Sequence, residues 1–565
     1  MNNEKTLKAV CYADFGAVGD GVANDFEALM KAHDYANQNN LPVVAESGKS
    51  YRITTTEKDG LARQIVIQTP TDWNDATIII DDTDIAHAEG KNRDFNSPVF
   101  KIMPYEEQFE ISEDKIATLP KIGMSTTKID LGLGYAAMIV IYNDDVRHYI
   151  RFGPNANTGN PQHELVVLDK DGNVDPATPL MYDYDKITKI EVIKIDLPKL
   201  EIKNATFITR ASQINTVKTL ADGTVKNLNK SYFLRNLVIS RSNTTVKNIK
   251  HYITGEISVE EQAKGVYGPA YRGFFNALNA NNVCIEDCIV TARRYYTPGT
   301  YGFSAGLTNN IVLKNCKQTN FYKKDSEGNL TKILSMEENP LTKKLEYWGL
   351  GGTSFCKNMV YDGCEITRFD AHQGLCNGKI LNSHIAMINL IGTGDMLIEN
   401  TLIELKDSTL INLRRDYGST WRGKVTIKDC KLFPNEEITK KNAISVFGFC
   451  YTNHNFGYRC YFPSVEIDNL ELLKPELEPI RLFYTKKPGM AHETPATEYN
   501  IHLPTLSDGR ENFNPITPPE SFKVINNKKG HSYVIADVPF FANTELVGIE
   551  KVESDQIQTK DRTDI

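Results

Sequence analysis

From about residue 200 a short theme recurs: apolar alternation, an Asn, Asp or Gly, a small residue, then further alternation. It is written Leu200-Glu201-Ile202-Lys203-Asn204-Ala205, and returns around Asn236, Asp287, Asn315, Gly363, Asn382, Asn400, Asp429 and Asn469. Steps are 18 and 19 residues where the coils are plain (Cys364 to Ser383 to Thr401), and 28, 29 or more where loops intrude. Alternation with period two makes each unit a half-buried strand. The Asn, Asp or Gly supplies the left-handed turn position that bends the chain into the next strand. So short a unit cannot bury its own apolar face, so it must stack on copies of itself. The expected fold is a solenoid of parallel strands. Cys288, Cys316, Cys364 and Cys430 share the slot after the turn residue with Ala205, Ser383 and Thr401. That slot predicts a ladder of small inward side chains, with a disulfide or metal site as the alternative. The tighter leucine spacing of leucine-rich repeats is absent, and a two-sheet sandwich would not give one turn residue per strand set.

Ahead of the repeat stands Asp14-Phe15-Gly16-Ala17-Val18-Gly19-Asp20-Gly21, followed by an amphipathic helix with Phe26, Leu29, Met30 and His33 on one face. Asn24 and Glu27 read as its capping box. Leu41-Pro42-Val43-Val44 and Gly48-Lys49-Ser50-Tyr51-Arg52-Ile53 come next. This layout resembles the entry segment of pectate-lyase-like right-handed parallel β-helices, a superfamily of polysaccharide lyases, glycoside hydrolases and phage tailspike depolymerases. The resemblance implies an all-β right-handed parallel β-helix with an N-terminal capping helix, acting on carbohydrate. Its galacturonan hydrolases carry an Asn-Thr-Asp, Gly-Asp-Asp, Gly-His-Gly series, and its classical pectate lyases a calcium-aspartate cluster. This chain lacks both.

Four segments are expected. Residues 1–61 hold the cap helix and first coils, 62–195 an inserted β-rich region or irregular early coils, and 196–475 the β-helix with its groove. Residues 476–565, where the repeat fades and prolines gather, would form a C-terminal cap and tail. A net charge of −8 speaks against a nucleic-acid partner. No apolar run approaches the ~18 residues of a membrane helix. The first residues lack the apolar core of a signal peptide, which leaves the cytoplasm by default, a virion, or a mature secreted form.

Equal offsets past the turn residue should stack. Successive units there give Arg294 and Tyr296, then Tyr322 and Lys324, then Asp370 and His372, then Asn389 and Ile391. Asp370 and His372, two apart on a strand, point the same way, so one could orient or tune the other; a His satisfied by a backbone carbonyl is the plainer alternative. Asp395 ends the glycine-flanked turn Ile391-Gly392-Thr393-Gly394, where Gly394 would let the backbone approach a ligand. Arg414, Arg415, Asp416, Tyr417 and Trp421 form the densest segment, suited to stacking on sugar faces and pairing with hydroxyls. Trp348 and His454 are further wall candidates, and His251, Glu256 and Tyr271-Arg272 could reach the groove from upper coils.

Three readings follow. The first is glycoside hydrolysis with Asp370, Asp395 and Asp416 as the acid pool and His372 as partner. The second is a polysaccharide lyase led by Arg or Lys with His372 or Tyr296, the one case calling for calcium. The third is a phage or prophage glycan-binding spike, which would be a homotrimer. No metal or cofactor is otherwise expected, and the partner is a polysaccharide or oligosaccharide. In a hydrolase, carboxylates ~5–5.5 Å apart would retain configuration and ~6.5–9.5 Å would invert it.

Overall fold

A computed structural model describes residues 9–85, 97–153, 156–212, 217–219, 221–227, 232–233, 235–255, 270–291, 302–319, 322–324, 330–332, 352–405, 408–434, 438–439, 444–449, 453–485, 504–505 and 509–553. The chain divides into two compact units: residues 1–107 with 194–351, and residues 108–193 with 352–565. Each unit is a stack of parallel coils.

The repeat markers do what their chemistry predicts. Asn204, Asp287, Asn315, Asn382, Asn400, Asp429 and Asn469 all sit at positive φ, between 48° and 59°. Their side chains also bond from coil to coil. Asn315 Nδ2 donates to Asp287 Oδ1 at 3.2 Å, Asn382 to Asp362 at 2.9 Å and Asn400 to Asn382 at 2.8 Å. Asn is therefore favoured twice, once by its tolerance of the left-handed region and once by its amide. The residue after each marker is buried, and its thiol or hydroxyl points to the carbonyl two residues back. Cys316 Sγ lies 3.5 Å from Lys314 O, Cys430 Sγ 3.2 Å from Lys428 O and Ser383 Oγ 2.6 Å from Leu381 O. The described cysteines are all free thiols. Asn382→Ala is expected to cost about 1–2 kcal/mol, because alanine resists the left-handed region. Asn382→Gly, which keeps the turn and loses only the amide ladder, should cost less. Urea midpoints of the two variants check the order, and equal losses would contradict it.

In the N-terminal unit one parallel sheet contains Asp20–Asn24, Ser50–Ile53, Thr71–Asp81, Leu200–Arg210, Thr244–Thr254, Asn281–Glu286 and Asn309–Lys314. Ile202 lies opposite Val246, and Phe207 opposite Ile78. A second parallel sheet runs through Ile65–Ile67, Phe100–Ile102, Leu237–Ile239, Phe275–Leu278 and Phe303–Gly306. Strands Ile65–Ile67 and Phe100–Ile102 thus belong to the stacked coils. The turn expected at Asn236 stands instead at Asn248, with φ 50° and an amide bonded to Asn204 Oδ1 at 2.9 Å. Helix Phe26–Asn39 buries Phe26, Leu29, Ala32, His33 and Ala36. No capping box forms: Asp25 is the N-cap, and Glu27 pairs with Arg63. Tyr12 joins the helix to the coils, its hydroxyl accepting from Trp73 Nε1 at 2.9 Å and meeting His33 Nε2 at 2.9 Å. His251 is interior, stacked on Phe274 with centroids 4.1 Å apart, and so is not a groove residue.

In the C-terminal unit, Phe109–Glu110, Ala137–His148, Asn160–Leu168 and Lys189–Lys194 make a four-stranded antiparallel sheet. Its own core includes Ile122, Ile139, Ile141, Val166, Leu168, Ile190 and Val192. The inserted region therefore begins near Phe109. It is pinned to the coils by an ion pair between Glu164 and Lys357 at 2.9 Å, both side chains 0% exposed. Glu164 also accepts the amides of Met181 and Tyr182, and Lys357 donates to Pro179 O.

The coils of this unit run in three parallel sheets. The first holds Lys357–Asp362, Leu375–Leu381, Gly392–Glu399, Trp421–Lys428, Ser464–Asp468, Ser521–Ile525 and Glu545–Val547. The second holds Arg368–Gln373, Met387–Leu390, Thr409–Leu413, Ser445–Phe449, Ile480–Thr485, Tyr533–Ala536 and Glu550–Val552. The third is short, from His384–Ile385 to Glu471–Leu472. Past residue 476, strands Ser521–Ile525, Tyr533–Ala536, Glu545–Val547 and Glu550–Val552 still pair parallel with the coils. Asn526, at φ 45°, makes the turn there and bonds to Asp468 Oδ1 at 2.9 Å.

Candidate glycan-binding site

Strand Arg368–Gln373 of the second sheet turns Phe369 and Ala371 into the interior, both 0% exposed. By alternation, Arg368, Asp370 and His372 face outward. Asp370 lies in register with Asn389, and Asn389 with Asn412, forming a polar column across three coils. Asn412 Nδ2 donates to Asn389 Oδ1 at 2.9 Å, and Asn412 is exposed.

Arg414, just past strand Thr409–Leu413, is the hub. Its Nη1 lies 3.3 Å from Asp370 Oδ1 and 2.8 Å from His372 Nδ1. Its Nε and Nη2 grip Asp416 at 3.1 and 2.7 Å. Arg151 of the inserted region reaches the same carboxylate through Nη2 at 3.1 Å. Both guanidinium groups lie over the Tyr417 ring, 5.3 and 5.7 Å from its centre, and Gln373 donates to the Tyr417 hydroxyl. Backbone bonds fix the frame: Phe152 N donates to Asp416 O, and Ile150 N to Phe456 O.

These partners decide the protonation states. Burial pushes the Asp370 carboxyl up, yet Arg368 and Arg414 outweigh it and hold the group below its ordinary range. Asp370 is wholly buried and ion-paired to Arg368. It is a fixed anion that positions Arg414, in contrast to the expected groove acid. Burial first, then Arg414, lowers His372 to about 4. An arginine N–H can only donate, so Nδ1 is the acceptor and the proton sits on Nε2. His372 is therefore a neutral donor at pH 7 and no base through Nδ1.

Asp395 is exposed on the first sheet, in register with Lys424, its amide held by Asn377 Oδ1 at 2.9 Å. Asp370 and Asp395 thus belong to different sheets, and the expected pairing on adjacent rungs does not form. Gly394 serves coil packing rather than ligand approach, since a Cβ there would lie 2.1 Å from Asn377 Oδ1. Trp421 is not a sugar wall: it is 0% exposed, and its Nε1 donates to Gly394 O at 3.0 Å. Tyr417 is likewise buried beneath the arginines. His454 meets Ile150 O at 3.1 Å and helps seat the inserted region. Arg415 is half-buried, with no side-chain hydrogen bond or ion pair among the described residues. Arg294, Tyr296, Trp348 and Glu256 lie outside the described residues; of Lys324, Tyr271 and Arg272 only the strand backbone is described.

Sequence reading stacked Asn389 on Asp370, as the register has it, but missed Arg151, Gln373 and Asn412. The run Tyr149-Ile150-Arg151-Phe152 was the available signal, a cation among aromatics at a strand end, with Tyr149 at φ 55°. Among the described residues no three His, Cys, Asp or Glu side chains converge as a metal site, and no described helix is long and apolar enough to cross a membrane.

No family model matches the chain. A 94-residue stretch, 14% of this chain, is 32% identical to a capsule KL64-specific depolymerase of Klebsiella phage P510, and spans only 9% of that protein. Among solved structures, the tailspike gp49 of Pseudomonas phage LKA1 aligns over 95% of this chain and 84% of its own, at 11% identity and a TM-score of 0.49. The Gp54 tailspike of Acinetobacter baumannii phage AP22, solved with a capsular saccharide, covers 95% and 79% at 9% identity and a TM-score of 0.43. The strand order and coil-to-coil register are those of a parallel β-helix.

Proposed function

We propose that this chain binds a complex polysaccharide along the outer face of the second sheet in the C-terminal unit and cleaves it. The observation that carries the proposal is the Arg414–Asp416–Arg151 cluster beside the exposed amide of Asn412. Amides, guanidinium groups and a carboxylate there offer donors and acceptors at successive coils, as a chain of sugar hydroxyls requires. The likeness of a 94-residue stretch to a phage capsule depolymerase supports the polysaccharide reading; a virion as the location and a homotrimer as the assembly are part of the proposal.

Hydrolysis is the first reading of the reaction. Asp416, with 17% of its side chain exposed and both oxygens on guanidinium groups, would act as the ionised carboxylate. Asp370 would hold Arg414 in place, His372 would hydrogen-bond a sugar oxygen from Nε2, and the leaving oxygen would take its proton from water. Elimination at a uronate would also use the arginines, as neutralisers of the sugar carboxylate. It needs a lone pair for the C5 proton, and the Nδ1 lone pair of His372 is taken by Arg414.

Digestion of a panel of bacterial capsular polysaccharides tests this. Chain shortening with new reducing ends and no ultraviolet absorbance from an unsaturated uronate is the expected result. Asp416→Asn should lower turnover about 100-fold or more while the fold persists. Full activity in that variant, or a rise in absorbance, would overturn the hydrolytic assignment.

A further inference from the structure

We propose that Arg151 and Arg415 read a carboxylate on the sugar, so that the glycan taken by this site is acidic; this rests on the glycan-binding reading above. Among the described residues of the cluster, three guanidinium groups (Arg151, Arg368, Arg414) face two carboxylates (Asp370, Asp416). His372, accepting from Arg414, adds no charge. Positive charge in a partly buried site calls for a counter-ion. The two arginines of the proposal carry the argument further than the count does. Arg151 spends Nη2 on Asp416 and lays its plane over Tyr417, yet its buried Nε has no acceptor. A buried donor without a partner is rare in native structures, and the Arg151 side chain, 22% exposed, would turn this N–H towards an arriving acceptor. Arg415 precedes Asp416 in the chain, is half-buried and has no side-chain partner of its own among the described residues.

This local excess stands against a chain of net charge −8, so it does not follow from composition. A planar carboxylate matches the guanidinium fork, taking two parallel N–H bonds from one arginine or one from each. A neutral hydroxyl would leave the positive charge unbalanced. The arrangement therefore favours a uronic acid, or another carboxylated sugar, over a neutral hexose.

The test uses the full chain and free glucuronate, glucose and sulfate as probes, sulfate being matched in ionic strength. Binding is read as a rise in melting temperature with ligand concentration. Glucuronate should stabilise the wild type, whereas glucose and sulfate should not. Arg151→Gln and Arg415→Gln should each weaken the apparent affinity about tenfold. Arg415→Gln removes no contact seen in the fold, so it remains informative if Arg151→Gln misfolds. Equal responses to glucuronate and glucose, or an undiminished glucuronate response in Arg415→Gln, would overturn the proposal. A sulfate response equal to that of glucuronate would also overturn it, since the site would then read any small anion. A chain that cleaves a polysaccharide yet ignores glucuronate fails this inference alone. One that binds glucuronate but cleaves nothing in the panel fails only the cleavage reading.

Discussion

Lys357→Ala is expected to destabilise the C-terminal unit by about 3–5 kcal/mol, the cost of leaving a buried charge without its partner. Glu164 and Lys357 are both 0% exposed, so truncation leaves the carboxylate buried with no cation beside it. The carboxylate would keep the Met181 and Tyr182 amides, but these do not neutralise it. Glu164→Gln should be milder, because an amide oxygen still accepts from those backbone groups. The double variant Glu164→Gln with Lys357→Ala should recover part of the loss, since it removes both charges together and keeps an acceptor for the Met181 and Tyr182 amides. Denaturant unfolding of the two singles and the double gives the coupling energy directly. A Lys357→Ala loss under about 1 kcal/mol would mean that the inserted sheet is held by its other contacts, such as the packing of Tyr149 against Phe355 and Tyr458.

Acid should unfold the C-terminal unit well before carboxylates in general are protonated. His148 and His372 are both held at about 4 by burial, against 6.5 when free. His163 and His454 move the same way, again through burial. A histidine whose folded value is depressed binds its proton more readily in the unfolded chain. Stability is therefore complete above pH 6.5, falls as pH drops from 6.5 towards 4, and levels off below that. Each of the first two contributes roughly 3 kcal/mol across this window. Asp370 adds a later loss, as pH falls through its lowered value. Melting temperatures between pH 7.5 and 4 measure the slope. His148→Phe, which keeps the ring between Tyr182 and Tyr458, should flatten it, as should His372→Asn, which keeps an acceptor for Arg414. A melting temperature unchanged down to pH 4 would contradict the buried neutral state of these rings.

The solenoid was legible because its local code is redundant. A turn residue such as Asn382 announces itself by type, and the Ser383 that follows shows the interior slot, so each coil repeats the statement. The code failed where a coil was long. Asn236 mimicked a marker although Asn248 makes the turn, and the strand Ser521–Ile525 lay too far from Ser464–Asp468 for its register to be seen. The site was only half legible. Spacing placed Asp370 and His372 on one face and singled out Arg414 and Asp416. It could not tell that Asp370 would be covered by the guanidinium groups of Arg368 and Arg414, nor that Arg151, more than 200 residues earlier, would reach Asp416. Nor could it show that Asp395 belongs to another sheet, since bends between strands are not written in period-two alternation. Trp421 looked like a sugar platform by type, and only its burial against Gly394 assigns it to the core.

Hydrogen exchange on the Asp416→Asn variant, with and without a polysaccharide that the wild type cleaves, tests the central claim most directly. Slowed exchange is expected in residues 150–152, 368–373 and 412–417, the segments that carry Arg151, the Asp370 strand and the Arg414–Asp416 turn. Protection confined to residues 392–395 and 422–424, around Asp395 on the first sheet, would place the glycan elsewhere and contradict the account.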